Sequence, residues 1–276
     1  MAAEQLPKYD TPPVAEVVFG TQFESIAGLT PEYVGRLWTE VFKEAFGQRQ
    51  EEPLLTPQTE FFGDQVRSVS DVTKDPASRR SWFIDDNGSL VQVQKDRLLY
   101  NWRPDNTKHR YPGYEPIRAA YLSALEAFEA FLDKYELGAL AHRQYELTYV
   151  SHIQRDERWK HTADIGVVFP DITWRREPRA LKDLEGMALS LSFAKPEDGM
   201  RLYVSLGHAT HRDTGDQILR LDLTARGMPH TPSHDDMLAW FDRAHEWIVS
   251  GVADLTSETI LRDNWSRKET HDARSS

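Results

Sequence analysis

The chain has 276 residues, enough to bury a sizeable core as one large domain or two of ordinary size. It contains no cysteine, which excludes disulfides, iron–sulfur clusters, thiolate zinc sites and cysteine nucleophiles, and suits a reducing cytosol. With 33 Lys and Arg against 44 Asp and Glu, the net charge of -11 disfavours long-range attraction to nucleic acid and reads as solubility.

The opening MAAEQLPKYDTPP has neither a basic leader nor an apolar stretch of secretory type, and no apolar run approaches the ~18 residues of a membrane span. The expectation is a cytoplasmic protein without membrane contact. In chain order, residues 14–24 alternate, with Ala15, Val17, Phe19 and Phe23 on one face and Glu16, Gln22 and Glu24 on the other, as in a half-buried strand. Thr30 and Pro31 supply an N-cap and a first helical residue, and Val34, Leu37, Trp38, Val41, Phe42 and Ala45 recur at helical spacing, which predicts a helix over 31–46. Residues 48–57 read as a charged, proline-bearing loop, followed by a weak strand within 61–72 and a polar segment over 73–79.

Residues 81–103 read as a three-stranded meander, with Asn87-Gly88 at the first turn and Lys95-Asp96 at the second. A helix follows over 115–137, striped by Ile117, Tyr121, Leu125, Phe128, Leu132 and Tyr135 and stopped by Gly138. The order then restarts. Residues 144–154 alternate like the first strand, and 187–194, 200–211 and 217–226 form a second meander. Ser233, with Asp236 three residues on, caps a last helix lined by Met237, Phe241, Ala244, Ile248, Val252 and Leu255. Between 163 and 186 two prolines leave room for at most a short helical segment around Leu181 and Leu184, so the second unit is a trimmed copy of the first. The tail from 267 to 276 reads as frayed.

This pattern predicts an α+β protein of two similar halves, 1–138 and 139–266, each an antiparallel meander packed on a long helix, joined in one compact body.

Motifs that announce catalysis are missing: no Gly-rich phosphate loop, HExxH, GxSxG or EF-hand loop occurs. His208 and His211, followed by Asp213, lie three apart on a strand and so point to opposite faces, which argues against a metal site. His142, His152 and His161 are scattered. His234, Asp235 and Asp236 belong to a helix start, where the macrodipole explains the carboxylates. The basic run 174–179 reads as a solvated loop anchored by Trp174, and Trp240 and Trp247 as residues packed on a sheet. The sequence assigns no metal and no cofactor.

The polar faces of the two meanders carry the functional expectation. In the second, Leu219, Leu221, Leu223 and Ala225 alternate with Arg220, Asp222, Thr224 and Arg226. In the first, Gln92 and Gln94 share a face, as do Asn101 and Arg103, placing them opposite one another across the hairpin. These eight residues are the candidate ligand- or partner-binding set, through amide hydrogen bonds and bidentate arginine contacts. Simple ion pairing on a wet sheet face is the competing account.

The segments PPVAEVVFGTQFE, LVQVQKDRLLYNWRPDNTKHRYPGYEPI, QYELTYVSHI and LRLDLTARG resemble a sporadically distributed family of bacterial and archaeal proteins with no established activity. The most specific part is a VQVQxDRxxxNWR-like core, matched by Gln92, Gln94, Asp96, Arg97, Asn101, Trp102 and Arg103. The resemblance implies a patchy distribution suggestive of mobile or defence-associated genes, and brings no catalytic role. The reading is therefore a non-enzymatic protein that recognises a protein partner or a small polar or anionic ligand, compatible with homo-oligomers. The alternative is a hydrolase or nucleotide-processing enzyme whose site gathers Arg103, Asp222, Arg226 and His208.

Overall fold

The first alternating segment becomes β1, Val14–Phe23, and sits at the centre of the molecule. Its apolar residues Val17, Phe19 and Phe23 are almost wholly buried, which fixes the face it turns to the core and leaves both its edges free for pairing. In this computed structural model, residues 6–56, 60, 62, 79–104, 110–175, 180–181, 184–211, 214–229, 231 and 233–268 are described.

These residues form one nine-stranded sheet, antiparallel throughout. β2, Gln48–Glu52, is an edge strand, and β3 Arg80–Ile84, β4 Leu90–Gln94 and β5 Arg97–Trp102 are the first meander. Gly88 supplies the positive φ, 89°, that its first turn requires. β6, His142–Gln154, pairs with β1, and the second meander follows as β7 Ala188–Lys195, β8 Met200–Thr210 and β9 Gln217–Gly227. The strand order is β2-β3-β4-β5-β1-β6-β9-β8-β7, so the ladder between β1 and β6 makes one continuous sheet where two were expected.

One face of the sheet carries the helices. α2, Tyr114–Lys134, buries Ile117, Tyr121, Leu125, Phe128 and Leu132, and α4, His234–Leu255, buries Met237, Trp240, Phe241, Ala244 and Ile248. Phe19 of β1 is ringed by Tyr114, Tyr121 and Phe241 at centroid distances of 5.7, 5.3 and 5.1 Å, an aromatic cluster that pins both helices over the centre of the sheet. The Ser233 hydroxyl accepts from Asp236 N at 3.1 Å and caps α4 as its sequence indicates. No helix among the described residues is long and apolar enough to cross a membrane.

Several local expectations are corrected. Within 48–57, Gln48–Glu52 is a strand, β2, paired with β3 at the sheet edge. Its exposed polar side chains gave no alternation to read, and ladder bonds between main chains need none. The helix over 31–46 is α1, Pro31–Leu37, followed by a π-helical turn, Trp38–Phe42, and Thr30 makes no side-chain cap bond. α2 stops before Gly138: the first left-handed residue is Glu136, at φ 53°. The short helix between β6 and β7 is α3, Ile165–Val168, and α5, Glu258–Asp263, was not foreseen. The tail is tied down at its start, because Arg267 bridges to Tyr9 and Lys268 N donates to Lys8 O at 2.8 Å. Residues 57–59, 61, 63–78, 176–179 and 269–276 lie outside the described residues, and with them most of the weak strand, the basic run and the frayed tail.

Candidate functional site

On the face away from the helices, antiparallel register sets polar side chains in rows. Gln94, Arg97, Gln22 and Gln144 stand side by side on β4, β5, β1 and β6. The next row holds Gln92, Leu99, Gly20, Glu146, Arg226 and Arg201. A third brings Asn101, Val18, Thr148, Thr224 and Tyr203 together. The polar faces of both meanders thus form one continuous surface, because β1 and β6 sit between them.

This surface is not wet along the first row: Arg97 is 9% exposed, Gln94 5% and Gln144 4%. The cover comes partly from the chain after β2. Leu55 N donates to Gln94 Oε1 at 2.9 Å, and Gln94 Nε2 donates back to Leu55 O at 3.0 Å. Glu60 N donates to Gln144 Oε1 at 2.9 Å, and the Glu60 carboxylate accepts from Arg201 Nε at 2.9 Å and Tyr203 OH at 2.7 Å. The Phe62 ring lies 5.4 Å from the Arg201 guanidinium.

The sequence-derived candidates do not act as one set. Gln92 Nε2 donates to Asn101 Oδ1 at 2.6 Å, and Asn101 Nδ2 donates on to Glu16 Oε1 at 2.6 Å, so the amides chain diagonally across the sheet. Directly opposite Gln94 stands Arg97, and opposite Gln92 stands Leu99. Arg226 Nε donates to Glu146 at 2.5 Å, while the Thr148 and Thr224 hydroxyls share a bond of 2.9 Å. Arg220 and Asp222 satisfy one another through Nε at 2.9 and 3.0 Å. Arg103 lies past the end of β5 with its guanidinium 5.6 Å from the Trp82 ring. His208 pairs with Leu219 and accepts from Met187 N, on the face opposite Asp222 and Arg226, so the four residues of the hydrolase reading are not gathered at one point. No group of three or more potential metal ligands occurs among the described residues.

Arg97 was not singled out as a site residue, although RLLYNW places it on the face of Asn101. Its Nη2 donates to Gln22 Oε1 at 3.0 Å, and its Nε has no hydrogen-bond partner among the described residues. Burial pulls its pKa down, partly offset by the charges of Glu146 and Asp96. Arg226 and Arg201, by contrast, each meet a carboxylate directly. The surface therefore offers amide donors and acceptors around one buried cation with no direct counter-charge, an arrangement suited to holding an anion or a carbonyl.

A second polar cluster lies under the helices and has no signature in the sequence. The Tyr111 and Tyr149 hydroxyls are 3.0 Å apart, Tyr149 OH meets His245 Nδ1 at 3.0 Å, and the Tyr114 ring stacks on the imidazole at 4.1 Å. Tyr114 OH donates to Asp242 Oδ1, which also takes Arg118. Burial pushes the His245 pKa down to about 4 and the Tyr111 hydroxyl up to about 12. Further away, a cleft of about 310 Å³ between α4 and the β7–β8 hairpin is lined by Lys195, Asp198, Arg243, Glu246 and Trp247. Its charges are balanced.

Compared with known proteins, the chain matches no family model, no curated protein and no solved structure.

Proposed function

We propose that this protein is a non-catalytic binding protein that holds an anionic or hydrogen-bonding ligand, or a partner carrying such groups, on the polar face of its sheet. The observation that carries the reading is Arg97: a buried guanidinium in a row of glutamines, bonded to an amide and to no carboxylate among the described residues. A buried cation that meets no carboxylate directly is costly, and a ligand that neutralises it recovers part of that cost on binding. Selection for stability alone favours an apolar residue there.

The dispersal of Arg103, Asp222, Arg226 and His208 weighs against a hydrolase built from them. We further read the chain as two similar halves, 1–138 and 139–266. The order β5-β4-β3 outward from β1 and β9-β8-β7 outward from β6 supports this, with α2 and α4 as the corresponding helices. The likeness of the VQVQKDRLLYNWR core to a sporadically distributed prokaryotic family supports a cytoplasmic role in bacterial defence or a toxin–antitoxin-like system.

Native mass spectrometry of the protein purified from its own cells tests the binding reading. A retained mass that is released by mild activation, and that disappears in Arg97→Gln, is the expected result. A clean apoprotein in both forms overturns it.

A further inference from the structure

Gln94 and Gln144 do something unusual for side chains on a sheet face: both bind main chain rather than each other. Gln94 takes the N–H and C=O of one residue, Leu55, in a two-point pair while its Nε2 also donates to Asp96 Oδ1 at 2.7 Å, and Gln144 accepts the N–H of Glu60 five residues on. A primary amide that offers one donor and one acceptor to a peptide unit reads backbone without regard to side-chain identity. The two glutamines stand on β4 and β6, three strand spacings apart, or about 14 Å. Five residues reach about 17 Å at full stretch, enough for one peptide to meet both amides.

One side chain is read as well. The Glu60 carboxylate, with its side chain 7% exposed, lies against Arg201 Nε and Tyr203 OH, and the Arg226 guanidinium stands 5.4 Å from the Tyr203 ring. Between the glutamines, Arg97 and Gln22 add a second cation and a further amide to the row.

We infer that the polar face is a recognition surface for an extended acidic peptide, gripped by its main chain at Gln94 and Gln144 and by a glutamate side chain at Arg201 and Tyr203. Leu55 and Glu60 of the same chain occupy these contacts in the structure, so an outside peptide competes with them. This rests on the binding reading above and names the partner's chemistry. A tethered segment acts at an effective concentration in the millimolar range, so a free peptide binds more tightly once the internal carboxylate is removed.

The probe is a fluorescein-labelled acetyl-Leu-Thr-Pro-Gln-Thr-Glu-amide, the sequence of residues 55–60, titrated by anisotropy against full-length protein. Glu60→Ala is expected to bind it at least tenfold more tightly than the unmodified protein. Adding Arg201→Ala or Tyr203→Phe, or replacing the terminal glutamate of the probe by glutamine, is expected to lose at least tenfold again. If Glu60→Ala does not fold, Glu60→Gln, which keeps the shape and removes the charge, takes its place. A folded variant that ignores the probe, or binds the glutamate and glutamine probes equally, overturns the inference. If the Arg97-dependent mass survives that result, only the peptide identity falls; if it is absent too, the binding reading falls with it.

Discussion

Arg97 Nη2 donates to the Gln22 amide oxygen at 3.0 Å, and that is the only hydrogen bond this buried guanidinium makes among the described residues. Replacing a weakly compensated buried ion by an apolar residue of similar length is commonly neutral or stabilising. Arg97→Met is therefore expected to leave the urea-unfolding free energy of the ligand-free protein unchanged or raised by about 1 kcal/mol. A loss of more than about 3 kcal/mol, the range seen when a buried pair is broken, would show that Arg97 already has its counter-charge.

His245 links stability to pH. Its folded pKa of about 4 lies below the ordinary value of 6.5, chiefly through burial, with Arg118 acting in the same direction and Glu115 and Asp242 opposing. A histidine held neutral in the fold binds fewer protons than in the unfolded chain between those values, so stability is complete above about pH 6.5 and declines as pH falls towards 4. The loss approaches about 3 kcal/mol at the lower limit. Urea midpoints measured from pH 7 to 4 should fall less steeply in His245→Gln, and parallel profiles would exclude this residue as the source.

Gly227 faces Gly199 across the β8–β9 ladder end. Its φ is 152°, and a Cβ there falls 1.8 Å from Gly199 O. The obstacle is backbone, which cannot rotate aside. Gly227→Ala is expected to cost about 3 kcal/mol. Gly47→Ala, where a Cβ meets nothing within 4 Å, should stay within about 0.5 kcal/mol of the parent. Thermal unfolding of the two variants side by side checks the contrast.

Phe241 joins the two helices to the sheet through rings at 5.1 Å from Phe19, 5.3 Å from Tyr121 and 5.5 Å from Tyr145. Removing it leaves a cavity lined by rigid aromatics that close in poorly. Phe241→Ala is expected to lose about 4 kcal/mol, read as a drop in the denaturation midpoint at unchanged slope.

Alternation placed β1, β6 and β9, and turn residues placed the other strands of the two meanders. Leu219, Leu221 and Leu223 announced the core side of β9, Val17, Phe19 and Phe23 that of β1, and the stripe from Met237 to Ile248 the buried side of α4. These are local facts, set by the two-residue period of a strand and the 3.6-residue period of a helix, and a chain carries them wherever it goes. β2 escaped notice because Gln48 to Glu51 are all exposed, and an edge strand held by main-chain bonds writes nothing into its side chains. Tertiary structure alone decided that β1 pairs with β6, which fuses two meanders into one sheet, and that Leu55 and Glu60 lie on its polar side. Those choices join residues tens of positions apart, and polar side chains look the same in sequence whether water or a returning stretch of chain satisfies them. So Gln94 and Asn101 could be named as candidates, while Arg97 became one only when its burial and its missing carboxylate were seen together.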